Sequence, residues 1–147
     1  MVNDQWHIAS VSWGKDSLAM LIMLVETCAP LDEVMFFDTG MEFQAIYDER
    51  DRTLPVLEKL GILYTQLKPK NSFEYQMFER PVKKRGTNEI HRYGYGWCGG
   101  VCRWGTTEKN RAMDAHAKKK DAVVYVGIAA DETKRIEKER CEYKRLP

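Results

Sequence analysis

Apolar and polar positions divide this chain into alternating strands and helices. Trp6-His7-Ile8-Ala9-Ser10-Val11 has the β-branched and apolar character of a buried strand. Leu18, Leu21, Ile22 and Val25 then fall at i, i+3, i+4 and i+7, one face of an amphipathic helix that Cys28-Ala29-Pro30 closes. Glu33 to Gly40 reads as a second strand. Its apolar run is continuous, which suits a strand covered on both faces in a parallel sheet. A helix is predicted from Phe43 to Leu60, with Phe43, Ile46, Tyr47, Leu54 and Leu57 as its buried stripe and Gly61 as its stop. Pro55 should kink that helix or split it in two.

Ile62 to Leu67 predicts a third strand, Phe73 to Phe78 a short helix, and Arg80 to Gly100 a long loop rich in Gly, Pro, Tyr and charge. Thr107 to Lys119 predicts another helix and Ala122 to Ile128 the last strand. The tail from Asp131 to Pro147 is strongly charged, helical at first, and closes nothing in this reading. Strand and helix alternate throughout, so the expected fold is an α/β three-layer sandwich with a mainly parallel, doubly wound sheet and right-handed crossovers. The expected organisation is a single domain over residues 1–147, truncated or minimal at its C-terminus. Ligands of such sheets bind outside the carboxyl ends of the strands. Two polar segments fall there, Ser12 to Ser17 and Asp38-Thr39-Gly40.

Ser12-Trp13-Gly14-Lys15-Asp16-Ser17 lies where the first strand hands over to the first helix. Such a turn gathers unpaired backbone N–H groups and the positive end of the helix dipole, and so favours anions. Gly14 lets the backbone approach a phosphate, Lys15 adds charge, and the Ser12 and Ser17 hydroxyls can donate to its oxygens. Asp16 fits as a helix cap or as the holder of a cation that bridges phosphates. The run is not a Walker P-loop, which needs four residues between its first glycine and the Gly-Lys pair.

With 147 residues, 44% of them hydrophobic and 31% charged, the chain suits one globular domain with a real core. Its net charge of +1 gives no global pull toward nucleic acid or membrane. The basic runs Lys83-Lys84-Arg85 and Lys118-Lys119-Lys120 read as a solvated loop and a helix end. No apolar run is long enough to cross a bilayer, and no signal pattern precedes the first strand. Four cysteines in that setting point to a reducing, cytoplasmic compartment.

The Ser12–Ser17 run resembles the Ser-Gly-Gly-Lys-Asp-Ser signature of PP-loop proteins, with Trp13 standing where the signature has its first glycine. That superfamily includes ATP pyrophosphatases and phosphoadenosine phosphosulfate (PAPS) reductases, whose fold is called adenine nucleotide alpha-hydrolase-like. Phe37-Asp38-Thr39-Gly40-Met41-Glu42-Phe43 is similar to the second-strand signature of the PAPS reductase branch. Gly127-Ile128-Ala129-Ala130-Asp131-Glu132-Thr133-Lys134-Arg135 resembles its fourth-strand ending, with Ala129 in place of an arginine. Trp97 to Trp104, with Cys98 and Cys102, resembles a cysteine-containing segment that leads into basic residues facing the substrate. The resemblance implies a phosphate site of Ser10, Ser12, Trp13, Gly14, Lys15, Ser17, Thr39, Gly40, Gly127 and Arg135. It implies catalytic roles for Lys15, Asp16 and Asp38, and substrate contacts from Arg103, Lys109 and Arg111. The branch attacks sulfur with a cysteine in a C-terminal Glu-Cys-Gly-x-His-like tail. Cys141 does not match that tail, so thiol-dependent reduction is not expected of this chain as it stands.

The leading expectation is therefore an adenine-nucleotide-binding enzyme domain. It would act on ATP at the α-phosphorus with pyrophosphate released and Mg²⁺ bridging the phosphates, or on a sulfonucleotide such as PAPS. The alternative is a non-catalytic nucleotide-binding module or a subunit of a larger assembly. Cys98 and Cys102 could give two ligands to zinc or an iron–sulfur cluster, but that spacing is loose and reduced thiols are the simpler reading. His7 is expected to pack within its strand, while His91 and His116 lack a partnered motif. A basic loop from Lys83 to Arg92, with Tyr93, Tyr95, Trp97 and Trp104 nearby, leaves a nucleic-acid-modifying protein as a third reading. The expected partner is a small-molecule nucleotide, with a second copy or a partner subunit left open. Nucleic acid is not the expected partner, nor is a membrane.

Overall fold

The computed structural model describes residues 5–95, 103–137 and 144–145. Its elements run β1 (His7–Ser10), α1 (Lys15–Glu26), β2 (Glu33–Phe37), α2 (Gln44–Lys59), β3 (Leu63–Leu67), a π turn (Tyr75–Glu79), β4 (Pro81–Lys83) and β5 (Ile90–Tyr93). They continue with α3 (Arg103–Lys119), β6 (Val123–Val126), α4 (Thr133–Ile136) and β7 (Lys144–Arg145). Five parallel strands form one sheet in the order β3-β2-β1-β6-β7.

Period-two alternation of the strands sorts their side chains to two faces. Ala9, Val34, Phe36, Val123 and Tyr125 pack with Met20, Leu21 and Leu24 of α1 and Leu57 of α2. Ile8, Met35 and Val124 pack on the opposite face with Ala117 of α3. Every residue of β2 is buried, as its unbroken apolar run requires. The result is the three-layer α/β sandwich with a parallel central sheet that the sequence predicts.

Several local expectations are corrected. Of the two outcomes expected of Pro55, the split does not occur: it lies inside α2, and Ile46, Tyr47 and Leu54 before the proline and Leu57 after it all pack on the core. Phe43 is not part of the buried stripe. It forms the N-cap of α2 and is 86% exposed. In α1 the buried side is Ser17, Met20, Leu21 and Leu24, while Ile22 faces solvent. That helix is apolar nearly all round, so spacing alone could not choose its inner face. The segment predicted to be a long loop folds its first part into the antiparallel pair β4-β5. α3 begins at Arg103 rather than Thr107. The tail does close something: β7 pairs parallel with β6 at the edge of the sheet.

A buried charge cluster sits at the end of the sheet opposite the strands' carboxyl ends. Glu33, the fully buried first residue of β2, accepts hydrogen bonds from Trp6 Nε1 at 2.9 Å and Lys120 Nζ at 2.6 Å, and pairs with His116 Nε2 at 2.7 Å. Lys120 also sits 4.7 Å from the Trp6 ring centroid. Burial pushes the Glu33 carboxyl up, but hydrogen bonds from Lys120, Thr65, Trp6 and His116 together outweigh it and hold the group below its ordinary value. The cluster ties the entry to β1, the start of β2 and the end of α3. His7, as expected, packs in its strand, with Nδ1 3.0 Å from the Tyr125 hydroxyl.

Candidate functional site

Strand order reverses between β1 and β6, because β2 and β3 extend the sheet on one side of β1 and β7 extends it on the other. A crevice opens outside the carboxyl ends of the strands at such a switch point. The segment leaving β1 is Val11–Gly14, and it feeds directly into α1. Gly14 is the N-cap, so no N-cap side chain accepts from the first amides of the helix. The first helical bond runs from the Leu18 amide to the Gly14 carbonyl at 3.0 Å. Among the described residues, the amides of Lys15, Asp16 and Ser17 donate to no protein group. Three N–H groups at the positive end of a helix therefore stay open for an anion.

The loop is fixed from within. Ser17 is buried; its Oγ donates to the Gly14 carbonyl at 3.0 Å and accepts from the Ser12 amide at 3.2 Å. Its hydroxyl lies 3.2 Å from the exposed Ser12 hydroxyl. Ser17 thus shapes the loop, and Ser12 is the hydroxyl that faces outward. Trp13 adopts φ +61°, the left-handed region that glycine enters freely and a bulky residue enters at a cost of about 1–2 kcal/mol. Its indole offsets that cost: it is 2% exposed and packs edge-on to Phe36 and tilted against Tyr64. Trp13 can therefore meet a phosphate only through its backbone. Lys15 and Asp16 are both exposed, and neither side chain is paired among the described residues. Asp16 does not cap α1.

Gly127, just past β6, completes this corner. A Cβ there would lie 2.9 Å from the Asp16 carbonyl oxygen and 3.2 Å from Ser17 Cα. Ser10 ends β1 and is half-buried. One turn of the sheet away, Asp38 is buried at the end of β2. Its carboxylate accepts from the Gly40 amide and the Tyr47 hydroxyl at 2.8 Å each, and from Gln66 Nε2 at 2.7 Å. Gln66 in turn accepts from the Tyr64 hydroxyl at 3.1 Å. Burial, with the Asp38 carboxylate beside it, raises the Tyr47 hydroxyl above its ordinary range, so it remains a donor. Thr39 donates to Glu42 at 2.8 Å. Asp38, Thr39 and Gly40 line a cleft of about 330 Å³ together with Lys68, Ser72, Phe73 and Glu74.

The remaining phosphate and substrate candidates lie on α3 and in α4. Arg135 forms a close ion pair with both oxygens of Glu132, at 2.6 and 2.7 Å, on the exposed helix α4. This pairing, with a backbone hydrogen bond at Ala129, lowers Glu132 below its ordinary value. Arg103, Lys109 and Arg111 all belong to α3, and no hydrogen bond joins Lys109 or Arg111 to the α1 loop among the described residues. The Glu108 carboxylate beside them accepts from the Lys70 amide at 2.9 Å. Cys98, Cys102 and Cys141 lie outside the described residues. Among the described residues, no group of three His, Cys, Asp or Glu could hold a metal ion. Among them, too, no helix is long and apolar enough to cross a membrane.

Sequence reading missed the Tyr47–Asp38–Gln66 triad and the far wall of the cleft. Tyr47 looked like core because it sits in an apolar stripe, and a lone Gln in a strand carries no motif. The model of the phosphoadenosine phosphosulfate reductase domain matches residues 7–145. No curated protein and no solved structure matches the chain significantly. The match spans β1 to β7 and so includes the α1 loop, Asp38-Thr39-Gly40 and Gly127, which the fold brings to one end of the sheet. The chain belongs to the phosphoadenosine phosphosulfate reductase domain family, a branch of the PP-loop nucleotide-binding proteins.

Proposed function

We propose that this protein is an enzyme domain that binds an adenine nucleotide with its phosphate chain in the Ser12–Ser17 loop. The observation that carries this is the set of open amides at Lys15, Asp16 and Ser17, with the unpaired Lys15 ammonium beside them. In this reading the amides and Lys15 neutralise phosphate charge, Ser12 donates a hydrogen bond, and the nucleoside extends toward the cleft beside Asp38.

ATP is the favoured ligand over PAPS. PAPS carries a second anionic centre in its 3′-phosphate, yet Ala129 offers no cation and Arg135 is already held by Glu132. With ATP, attack of water or an acceptor's nucleophile at the α-phosphorus would form a new bond there as the bond to the α,β-bridging oxygen breaks. Pyrophosphate would leave with that oxygen, and the loop would stabilise the charge developing on it. The exposed Asp16 carboxylate suits the single protein ligand that Mg²⁺ commonly takes beside substrate phosphates. When bound, the ion would neutralise phosphate charge.

A second reading, a binding module without turnover, draws on Asp38. Three internal donors occupy its carboxylate, which favours a structural role there. Incubation with ATP and Mg²⁺ separates the two. Pyrophosphate release that Lys15→Ala abolishes supports the enzyme, and tight binding with no release supports the module. Absence of ATP binding, with PAPS bound instead, would move the ligand assignment to the sulfonucleotide.

A further inference from the structure

The β4-β5 ribbon has no part in the site described above, yet its make-up points to a ligand of its own. Residues 80–93 hold five Lys or Arg side chains against one Glu, while the whole chain has a net charge of only +1. Positive charge is therefore concentrated here and offset elsewhere. Every side chain of the two strands is exposed except that of Val82, which is half-buried. Lys84 is paired with Glu89 at 2.8 Å, and Lys83 donates to Asn88 at 3.1 Å without losing its charge to a carboxylate. Arg85 and Arg92 make no hydrogen bond or ion pair among the described residues.

Apolar and aromatic surface is interleaved with these cations. Tyr93 is 63% exposed and Ile90 43% exposed, and Phe78 at the root of the ribbon is 60% exposed. Pro81 lies opposite Tyr93 and Lys83 opposite Ile90, so apolar and aromatic side chains are cross-strand neighbours of a cation and a proline. The register shift between Val82 and Lys83 is a bulge, a device that adds twist to a ribbon. An isolated two-stranded ribbon is marginal in water, but this one is rooted. Gly94 at its base has φ +66° and lies so close to the π turn that a Cβ would be 1.9 Å from the Met77 carbonyl oxygen. The Gly94 amide bonds to the Arg80 carbonyl at 2.7 Å, and the Tyr95 amide to the Gln76 carbonyl at 3.1 Å.

We propose that this ribbon is a docking surface for single-stranded nucleic acid. Cations with open hydrogen-bonding capacity match a phosphate backbone, and an exposed tyrosine among them offers a base its stacking face. An acidic peptide would use the charge and leave the aromatic surface unmatched. The π turn joins the ribbon to Phe73 and Glu74, which line the cleft, so a bound strand would pass close to the cleft mouth. The inference does not depend on a nucleotide in the α1 loop.

Fluorescence anisotropy with labelled oligothymidylate and oligouridylate, run across a salt series, tests it. Both oligonucleotides should bind at low salt. The double variant Arg85→Ala/Arg92→Ala should bind about tenfold or more weakly, and its salt slope should fall by roughly 0.7 for each phosphate no longer neutralised. Tyr93→Ala should weaken binding by at least about fivefold at any salt, with the slope kept. All three positions are exposed, so thermal unfolding of the variants should match the parent. The proposal is overturned if the parent protein binds neither oligonucleotide, if the variants bind as the parent does, or if duplex or polyglutamate binds equally well.

Discussion

A side chain at Gly127 would stand 2.9 Å from the carbonyl oxygen of Asp16, so the end of β6 can lie against the first turn of α1 only where no side chain exists. Two segments far apart in sequence thereby become one corner at the switch point of the sheet. The loop's inner bonds, Ser17 to Gly14 and Ser12 to Ser17, hold its amides in place within that corner.

Replacing Gly127 with alanine should push α1 and β6 apart. Overpacking of this kind costs about 1–3 kcal/mol, to be read from urea unfolding. Nucleotide affinity should fall with it, because the open amides move with the helix start. Unchanged stability together with unchanged affinity would show that the corner is looser than its geometry.

Lys15→Ala should act in the opposite manner. Lys15 is exposed and unpaired among the described residues, so the unfolding temperature should hold. Nucleotide affinity should drop by at least about 1.5 kcal/mol, the worth of a hydrogen bond to a charged group, measured by titration calorimetry.

Trp13 should be a stability residue rather than a ligand contact. Trp13→Ala should cost about 3–5 kcal/mol in urea unfolding, as for a large buried aromatic side chain. The indole Nε1 is buried with no hydrogen-bond partner in the described structure, so Trp13→Phe, which removes that unpaired donor, should cost much less. Equal losses for the two variants would contradict this assignment.

Glu33 sets an acid limit on stability. Its folded value lies below the ordinary glutamate value, so its contribution is present above the unfolded pKa of about 4.3 and is lost as pH falls through the lower folded value. Glu33→Gln should flatten that acid limb. It should also cost about 3 kcal/mol at neutral pH, near the lower figure for a broken buried pair because Lys120 is partly exposed. Urea unfolding at a series of pH values checks both.

The parallel strands were legible because β2 carries an unbroken apolar run and the helices between strands are long and periodic. The α1 loop was legible because its Gly, Lys and Ser fall between a strand and a helix. The ribbon was not, since β4 and β5 are short, exposed and free of the alternating pattern that burial imposes. The Glu33 cluster left one readable trace: His116 and Lys120 are four residues apart, hence on one helix side, but nothing local pairs them with the first residue of an apolar strand. The side-chain bonds to Asp38 are tertiary, joining the residue after β2 to α2 and β3.

An amide-resolved NMR titration with ATP and Mg²⁺ tests the nucleotide site most directly. The largest shifts should fall on the amides of Lys15, Asp16 and Ser17 and extend to Gly127, and Lys15→Ala should weaken them. Saturable shifts confined to other strands or helices, with the α1 turn unmoved, would contradict the account.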